Sequence, residues 1–273
     1  MGNRESDLSQ AQRLGHNGPV KPPLDKAPDR IAGMFDAIAP RYDLLNHLLS
    51  AGIDRRWRRR AIASLQLTAD DTIVDVCTGT GDVALEAHPA RRVLGVDFAG
   101  AMLRLGLDKV RAARQDRRII LVQGDATAIP AADGCADAAT VAFGIRNVQR
   151  PDIACREMAR VLRPGGRLAI LEFGVPRIPG FSGLYLWYFK HVLPLIGRAI
   201  SGHMGAYSYL PASVGTFPPP AEFVTLLRQA GFTDVRAVPL TLGVVYLYTG
   251  TKEKGAGDCA RNAGGSSDER RTT

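Results

Sequence analysis

Ile73-Val74-Asp75-Val76-Cys77-Thr78-Gly79-Thr80-Gly81-Asp82 is the stretch that decides the fold. An apolar, largely β-branched run carries one carboxylate and ends in two glycines one residue apart. That is the pattern of a buried strand passing into a helix through a tight turn. A second apolar run, Val93-Leu94-Gly95-Val96, ends in Asp97 and reads as the next strand, with a carboxylate at its tip. The pair forms a βαβ unit of the kind that holds a nucleotide at a helix entrance.

Working outward, strands are predicted at 72–76, 93–96, 119–122, 136–143, 167–173, 235–239 and 244–249. Helices are predicted at 82–88, 101–113, 152–162 and 221–230, the last capped by Gly231. Pro164-Gly165-Gly166 is a turn into the fifth strand, and Thr241-Leu242-Gly243 joins the last two strands as a hairpin. Alternating strands and helices imply an α/β, doubly wound, mostly parallel seven-stranded sheet covered on both faces.

Two segments depart from that rhythm. Residues 31–62 form a helical preamble in two or three pieces, with Phe35, Ile38, Tyr42, Leu45 and Leu48 at helical spacing and breaks at Pro40 and Gly52. Residues 174–220 are too long for a βα connection and read as a helical insertion after strand five. Five aromatics, Phe181, Tyr185, Trp187, Tyr188 and Phe189, lie in this insertion. They are either the core of a lid or the wall of a channel. The polar, Gly- and Pro-rich ends, 1–30 and 253–273, are expected to be disordered tails around one folded domain, 31–252.

The chain has 273 residues and a net charge of +8. Cys77, Cys135, Cys155 and Cys259 show no C-x-x-C spacing and no histidine cluster, so neither a zinc site nor a disulfide framework is expected. The N-terminus lacks the apolar core of a signal peptide, and no run reaches the length of a membrane span. A cytoplasmic protein is expected. The run Arg55-Arg56-Trp57-Arg58-Arg59-Arg60 is either a solvated helix face with Trp57 turned inward or a contact for anionic lipid head groups at the inner face of a membrane. No further basic cluster with interleaved aromatics supports nucleic acid.

Gly79-Thr80-Gly81 lets the backbone approach a ligand, and Asp97 can accept from both hydroxyls of a ribose. A nicotinamide dinucleotide and S-adenosylmethionine share these features. Asp75 beside the glycine loop and Asp125 after strand three favour S-adenosylmethionine, which has no pyrophosphate and carries a cationic amino-acid end. The Tyr-x-x-x-Lys pair of many hydride-transfer enzymes is absent after strand four, where Arg146-Asn147 stands instead.

Asp75, Gly79-x-Gly81, Asp97, Gly124-Asp125-Ala126 and Arg163-Pro164-Gly165-Gly166-Arg167 together resemble the class I methyltransferase pattern, a Rossmann-like fold. Further blocks narrow the resemblance to the quinone-biosynthesis C-methyltransferases. They are Tyr42-Asp43-x-x-Asn46, Phe143-Gly144-Ile145-Arg146-Asn147-Val148 and Tyr207-x-Tyr209-Leu210-Pro211-x-Ser213. The resemblance spans about 34–252. It implies methyl transfer from S-adenosylmethionine to a ring carbon of a polyprenyl quinol. Leu195-Ile196-Gly197 and Tyr209-Leu210-Pro211 look more like the branch acting on demethylmenaquinol than the branch acting on a methoxy-benzoquinol of the ubiquinone path.

Carried over residue by residue, the resemblance implies cofactor contacts at Thr80, Asp97, Asp125 and Ala126, beside Asp75, Gly79 and Gly81. Ala142 replaces a small polar residue of the family, so any hydrogen bond made there is lost. At the carboxyl edge of the sheet, Arg146 is a candidate partner for a developing phenolate and Asn147 for orienting a hydroxyl, with strand capping as the plain alternative. His203 is a candidate base, or a surface histidine of the insertion. Tyr42, Tyr185, Trp187, Phe189 and Tyr207 are candidates for substrate contact. A protein that only binds the cofactor, a methyltransferase for another small aromatic, and a homo-oligomer all remain open from the sequence.

Overall fold

The computed structural model describes residues 26–50, 52–176 and 204–254, together with positions 178, 183, 187 and 191. Seven strands form one sheet: β1 (Thr72–Val76), β2 (Arg92–Asp97), β3 (Ile119–Gln123), β4 (Ala136–Ala142), β5 (Leu162–Phe173), β6 (Phe232–Leu240) and β7 (Val245–Lys252). Their order is β3-β2-β1-β4-β5-β7-β6. The first five run parallel, and β7 is antiparallel to both neighbours. The doubly wound, mostly parallel sheet expected from the sequence is therefore present, with its closing hairpin.

Seven α-helices accompany the sheet among the described residues. They are α1 (Pro28–Leu49), α2 (Ile53–Ser64), α3 (Asp82–Glu86), α4 (Gly100–Ala112), α5 (Pro151–Val161), α6 (Met204–Thr216) and α7 (Pro220–Gln229). Alternate residues of each strand feed opposite faces. Val74, Val76, Val141 and Ile170 pack with Met158 of α5 and Phe223 and Leu227 of α7. Ile73, Ala138, Ala169 and Leu171 face the other way, onto Trp57, Ile62 and Leu65 at α2 and Val83 of α3.

Three local expectations change. Pro40 does not break the preamble: α1 runs through it and begins at Pro28, within the stretch read as tail. Proline inside a helix costs about 3 kcal/mol. Here it stands on an exposed position while Ile31, Ile38 and Ala39 are buried, and that packing holds the helix together. The Pro164-Gly165-Gly166 turn lies inside β5 as an irregularity rather than ahead of it. Leu162 pairs with Ala136, and regular pairing resumes between Arg167 and Ala138. Strand four stops one residue early, because Phe143 has φ of 60° and leaves the extended region.

That last change positions the site. Between β1 and β4 the chain winds away in opposite directions, so a crevice opens at the carboxyl ends of these two strands. Cys77 (φ 55°) and Phe143 turn the backbone at the two strand ends. Gly144 lets the two turns meet: a Cβ there would lie 2.3 Å from Cys77 Cβ, a space no side chain can occupy.

Candidate active site

The crevice is lined by Gly79 after β1, Asp97 and Phe98 after β2, and Phe143, Gly144 and Asn147 after β4. Phe35 and Tyr42 of α1 and Met102 of α4 supply its apolar wall. Gly79 takes φ of 57°, and the space above it is open.

Asp97 organises the glycine loop. One carboxylate oxygen accepts from the Gly79 N–H at 2.8 Å, and the other from the Ala99 N–H at 2.9 Å. Its backbone carbonyl accepts from the Gly124 N–H at 2.9 Å, tying the β3 exit to the same edge. Burial pushes the Asp97 carboxyl above its ordinary pKa, against the pull of those backbone donors. Two lone pairs per oxygen leave room for further donors.

Asp75 sits deeper. One of its oxygens accepts from the Thr78 hydroxyl at 2.6 Å, and the other, Oδ1, is buried without a partner. Burial raises its pKa to about 7; Thr78 and the Arg58 charge oppose the shift, and Asp97 adds to it. The folded state therefore holds a proton that the unfolded chain, with an ordinary carboxylate, has lost. Stability falls as pH rises from about 4 through about 7 wherever the native state binds more protons. The expected contribution is up to roughly 4 kcal/mol. Urea denaturation at pH 5 and pH 8 checks this: wild type should lose more stability across the interval than Asp75→Asn. Equal losses would mean that Asp75 is ionised throughout.

A polar clasp ties the preamble to the glycine loop. The Thr80 hydroxyl donates to Asp43 at 2.7 Å, and Lys109 bridges Asp43 at 2.5 Å and Asp82 at 2.7 Å. Arg58, itself buried, pairs with Asp54 at 2.9 Å and with Asp82 at 3.0 Å. Asp36 accepts from the Ala101 N–H at 2.8 Å. Thus α1 becomes a wall of the crevice because its acidic side chains meet donors around α4. The Thr80 side chain serves this clasp and is not among the residues lining the crevice.

On the opposite side lies a buried ion pair. Glu172, 0% exposed at the end of β5, accepts from Arg146 Nη1 at 2.8 Å and from the Arg146 backbone N–H at 3.1 Å. Arg146 Nη1 also donates to the Phe143 carbonyl, and its guanidinium lies 5.3 Å from the centre of the Phe173 ring. Lys26 is half-buried in the field of the same pair; burial, then Arg146, lowers its pKa. Helix α6 packs against the Ile145–Asn147 turn and brings Tyr209 to this place. Burial raises the Tyr209 pKa to about 12.

The sequence candidates divide accordingly. Tyr42, Gly79, Asp97 and Asn147 share the crevice, with Ala142 beside them. Asp75, Gly81 and Arg146 are not among its lining residues. Asp125 stands exposed after β3, accepting from the Thr127 N–H at 2.8 Å, and Ala126 is packed into the core. Trp187 is 54% exposed and stacks on His191 at 5.9 Å, which gives a channel wall no support at that position. Tyr185, Phe189 and His203 lie outside the described residues, as does the side chain of Tyr207. Trp57 is turned to the core, 6% exposed, and donates to Thr241 at 2.9 Å. Trp57 is thus turned inward as the first alternative for the Arg-rich run has it, with Arg55, Arg56, Arg59 and Arg60 exposed, while Arg58 departs from that reading by being buried in its ion pairs. Glu172, Asp43 and Lys109 were not singled out from sequence. Only Glu172 carried a signal, as a lone carboxylate closing the apolar run Leu168-Ala169-Ile170-Leu171.

Comparison with known proteins agrees with this geometry. A relative from Syntrophotalea carbinolica, named ubiquinone/menaquinone biosynthesis C-methyltransferase UbiE, is 50% identical over 222 residues, 80% of this chain and 92% of its own. A Thermus thermophilus relative named demethylmenaquinone methyltransferase is 47% identical, covering 80% of this chain and all of its own length. Among solved structures, the [4+2]-cyclase SpnF superposes with a TM-score of 0.62 at 17% identity, over 84% of this chain and 97% of that one. A Thermotoga maritima S-adenosylmethionine-dependent methyltransferase superposes with a TM-score of 0.56 at 19% identity, over 81% of this chain and 99% of that one. These two likenesses carry the fold alone. The model of the ubiE/COQ5 methyltransferase family matches residues 24–252, and the chain belongs to that family.

Proposed function

We propose that the enzyme methylates a ring carbon of demethylmenaquinol, with S-adenosylmethionine as methyl donor. The observation that carries the reading is a crevice that brings Asp97 and Asn147 together, with buried Arg146 next to Asn147 in the same turn, in a chain of this family. The demethylmenaquinone methyltransferase named from Thermus thermophilus supports the naphthoquinol branch. The relatives named for both quinones keep the methoxy-benzoquinol as the second reading.

The residues fit the donor. Asp75 offers a buried, unpartnered oxygen to a cationic group, Gly79 an open backbone, and Phe35 and Met102 apolar surface for a base. Asp97 would hold the ribose hydroxyls. When bound, S-adenosylmethionine supplies an electrophilic methyl group on a sulfonium centre.

The chain's own contribution is alignment, dryness and charge. A ring carbon is nucleophilic enough only in an electron-rich ring, so the acceptor is the reduced quinol. Asn147 orients a ring hydroxyl. The Arg146 guanidinium stabilises negative charge developing on that oxygen. The apolar wall keeps water from the reacting atoms. Purified protein with labelled donor is expected to methylate reduced demethylmenaquinol at least 100-fold faster than the oxidised quinone, and faster than the methoxy-benzoquinol. Transfer to neither quinol, with donor binding intact, would sink the reading; preference for the benzoquinol would move the enzyme to the other branch.

A lipid-tailed acceptor calls for access from a bilayer surface. No helix among the described residues is long and apolar enough to cross a membrane. Surface contact is assigned to α2, where Arg56 and Arg60 are exposed and Ile53 is 40% exposed. Each basic residue near an anionic surface contributes about 1 kcal/mol. Replacing both arginines with alanine should therefore weaken binding to phosphatidylglycerol vesicles about 30-fold in low salt. Wild-type protein that ignores such vesicles would exclude this contact.

A further inference from the structure

Three buried polar atoms, two on the Ile145–Asn147 turn and one on the helix α6 that packs against it, have no partner in the protein: Arg146 Nε, Asn147 Oδ1 and the Tyr209 hydroxyl. Arg146 and Asn147 are each only 6% exposed. Leaving a buried donor or acceptor unmet costs about 1–3 kcal/mol per group, so such a cluster marks a place that something polar completes. The three atoms differ in role. Arginine Nε–H only donates, the asparagine Oδ1 only accepts, and the tyrosine hydroxyl does both.

Glu172 explains why Arg146 is left with a spare donor. Its Oε1 accepts from Arg146 Nη1 and from the Phe173 N–H, both at 2.8 Å, and its Oε2 from the Arg146 N–H. The carboxylate is occupied, and the guanidinium is held by one end against Phe143 and Phe173.

We propose that Tyr209 is a substrate-contacting residue, and that its hydroxyl and Asn147 Oδ1 close on one ring hydroxyl of the acceptor, with Glu172 as the positioning residue that holds Arg146 beside it. The assignment rests on the quinol reading above and deepens it. A ring hydroxyl donates to Asn147 Oδ1 and accepts from Tyr209. A quinone carbonyl only accepts, so it leaves Asn147 unsatisfied. The subsite thus selects the oxidation state of the ring by hydrogen-bond polarity. Burial keeps the Tyr209 phenol protonated at neutral pH, so it remains a donor as charge grows on the ring oxygen. Tyr209 stands in α6, and α6 packs on both α1 and the Ile145–Asn147 turn, so the helix couples the subsite to the crevice wall.

The test compares wild type with Tyr209→Phe, which removes one oxygen. On reduced demethylmenaquinol the variant should lose about 10- to 100-fold in kcat/KM while its affinity for S-adenosylmethionine stays within twofold. The two mono-deoxy analogues of the quinol, each lacking one ring oxygen, provide the second arm. On the analogue that lacks the contacted oxygen, wild type and variant should agree within threefold, because neither can make the bond. A loss below threefold on the quinol, or the same loss on the quinol and both analogues, would overturn the assignment. Wild-type protein inactive on the quinol would instead overturn the function, and this subsite with it; that result is read before any variant is made.

Discussion

Asp97→Ala is expected to raise the dissociation constant for S-adenosylmethionine at least about 100-fold. Hydrogen bonds to a charged group are worth about 1.5–3 kcal/mol each, and every 1.4 kcal/mol is tenfold in affinity. Two ribose hydroxyls on one carboxylate therefore account for two orders of magnitude or more. The substitution also frees the Gly79 and Ala99 N–H groups, which Asp97 holds at 2.8 and 2.9 Å. Titration calorimetry measures the affinity directly. Asp97→Asn separates the two roles, since its amide oxygen can still accept from one backbone donor while the charge is gone. Less than a fivefold loss in Asp97→Ala would show that Asp97 only staples the loop.

The second large effect is on stability. Glu172→Ala removes one half of a buried pair and leaves the Arg146 guanidinium, 6% exposed, without its counter-charge. Breaking such a pair from one side costs about 3–5 kcal/mol. In a domain of this size that lowers the melting temperature by on the order of 10 °C. The paired replacement, Arg146→Met with Glu172→Leu, fills similar volume with apolar groups and should recover much of the loss. It should still have no measurable methyl transfer, because it lacks the charge proposed to stabilise the ring oxygen. A stable Glu172→Ala protein would show that water takes over the acceptor role toward the cation, and an active double variant would remove Arg146 from the mechanism.

Both effects arise at strand ends, and the sequence exposed them unequally. Asp97 closes a short apolar strand next to a glycine loop, so its place at the edge of the sheet, where it lines the crevice, could be read from four residues. Glu172 closes a strand too, but its partner lies 26 residues earlier, in the turn that follows β4. A one-dimensional pattern shows a charge in an apolar run; it does not show which cation meets it. Arg146 was legible as a candidate for the chemistry because it follows strand four, at the edge where α/β sheets bind ligands. That it reaches this place through a buried pair with one spare donor was not.

The helical preamble shows the same boundary. Its apolar spacing predicted helix, and the turn at Gly52 is where α1 gives way to α2. Pro40 was read by its local cost, which the burial of Ile31, Ile38 and Ala39 outweighs. Asp43 stood in the sequence only as part of the Tyr42-Asp43-x-x-Asn46 block and Lys109 carried no reading, since nothing within either segment announces the other.

By itself, the sequence determined the alternation of strands and helices, the glycine loop and the carboxylate at the tip of β2. These are properties of periodicity and of backbone freedom over a few residues. Tertiary structure alone decided that Trp57 faces the core, that α1 walls the crevice through Asp36 and Asp43, and that Tyr209 is carried to Arg146 and Asn147. Each of these depends on burial and on the pairing of charges between segments far apart in the chain, energies that exist only once the sheet has brought them together.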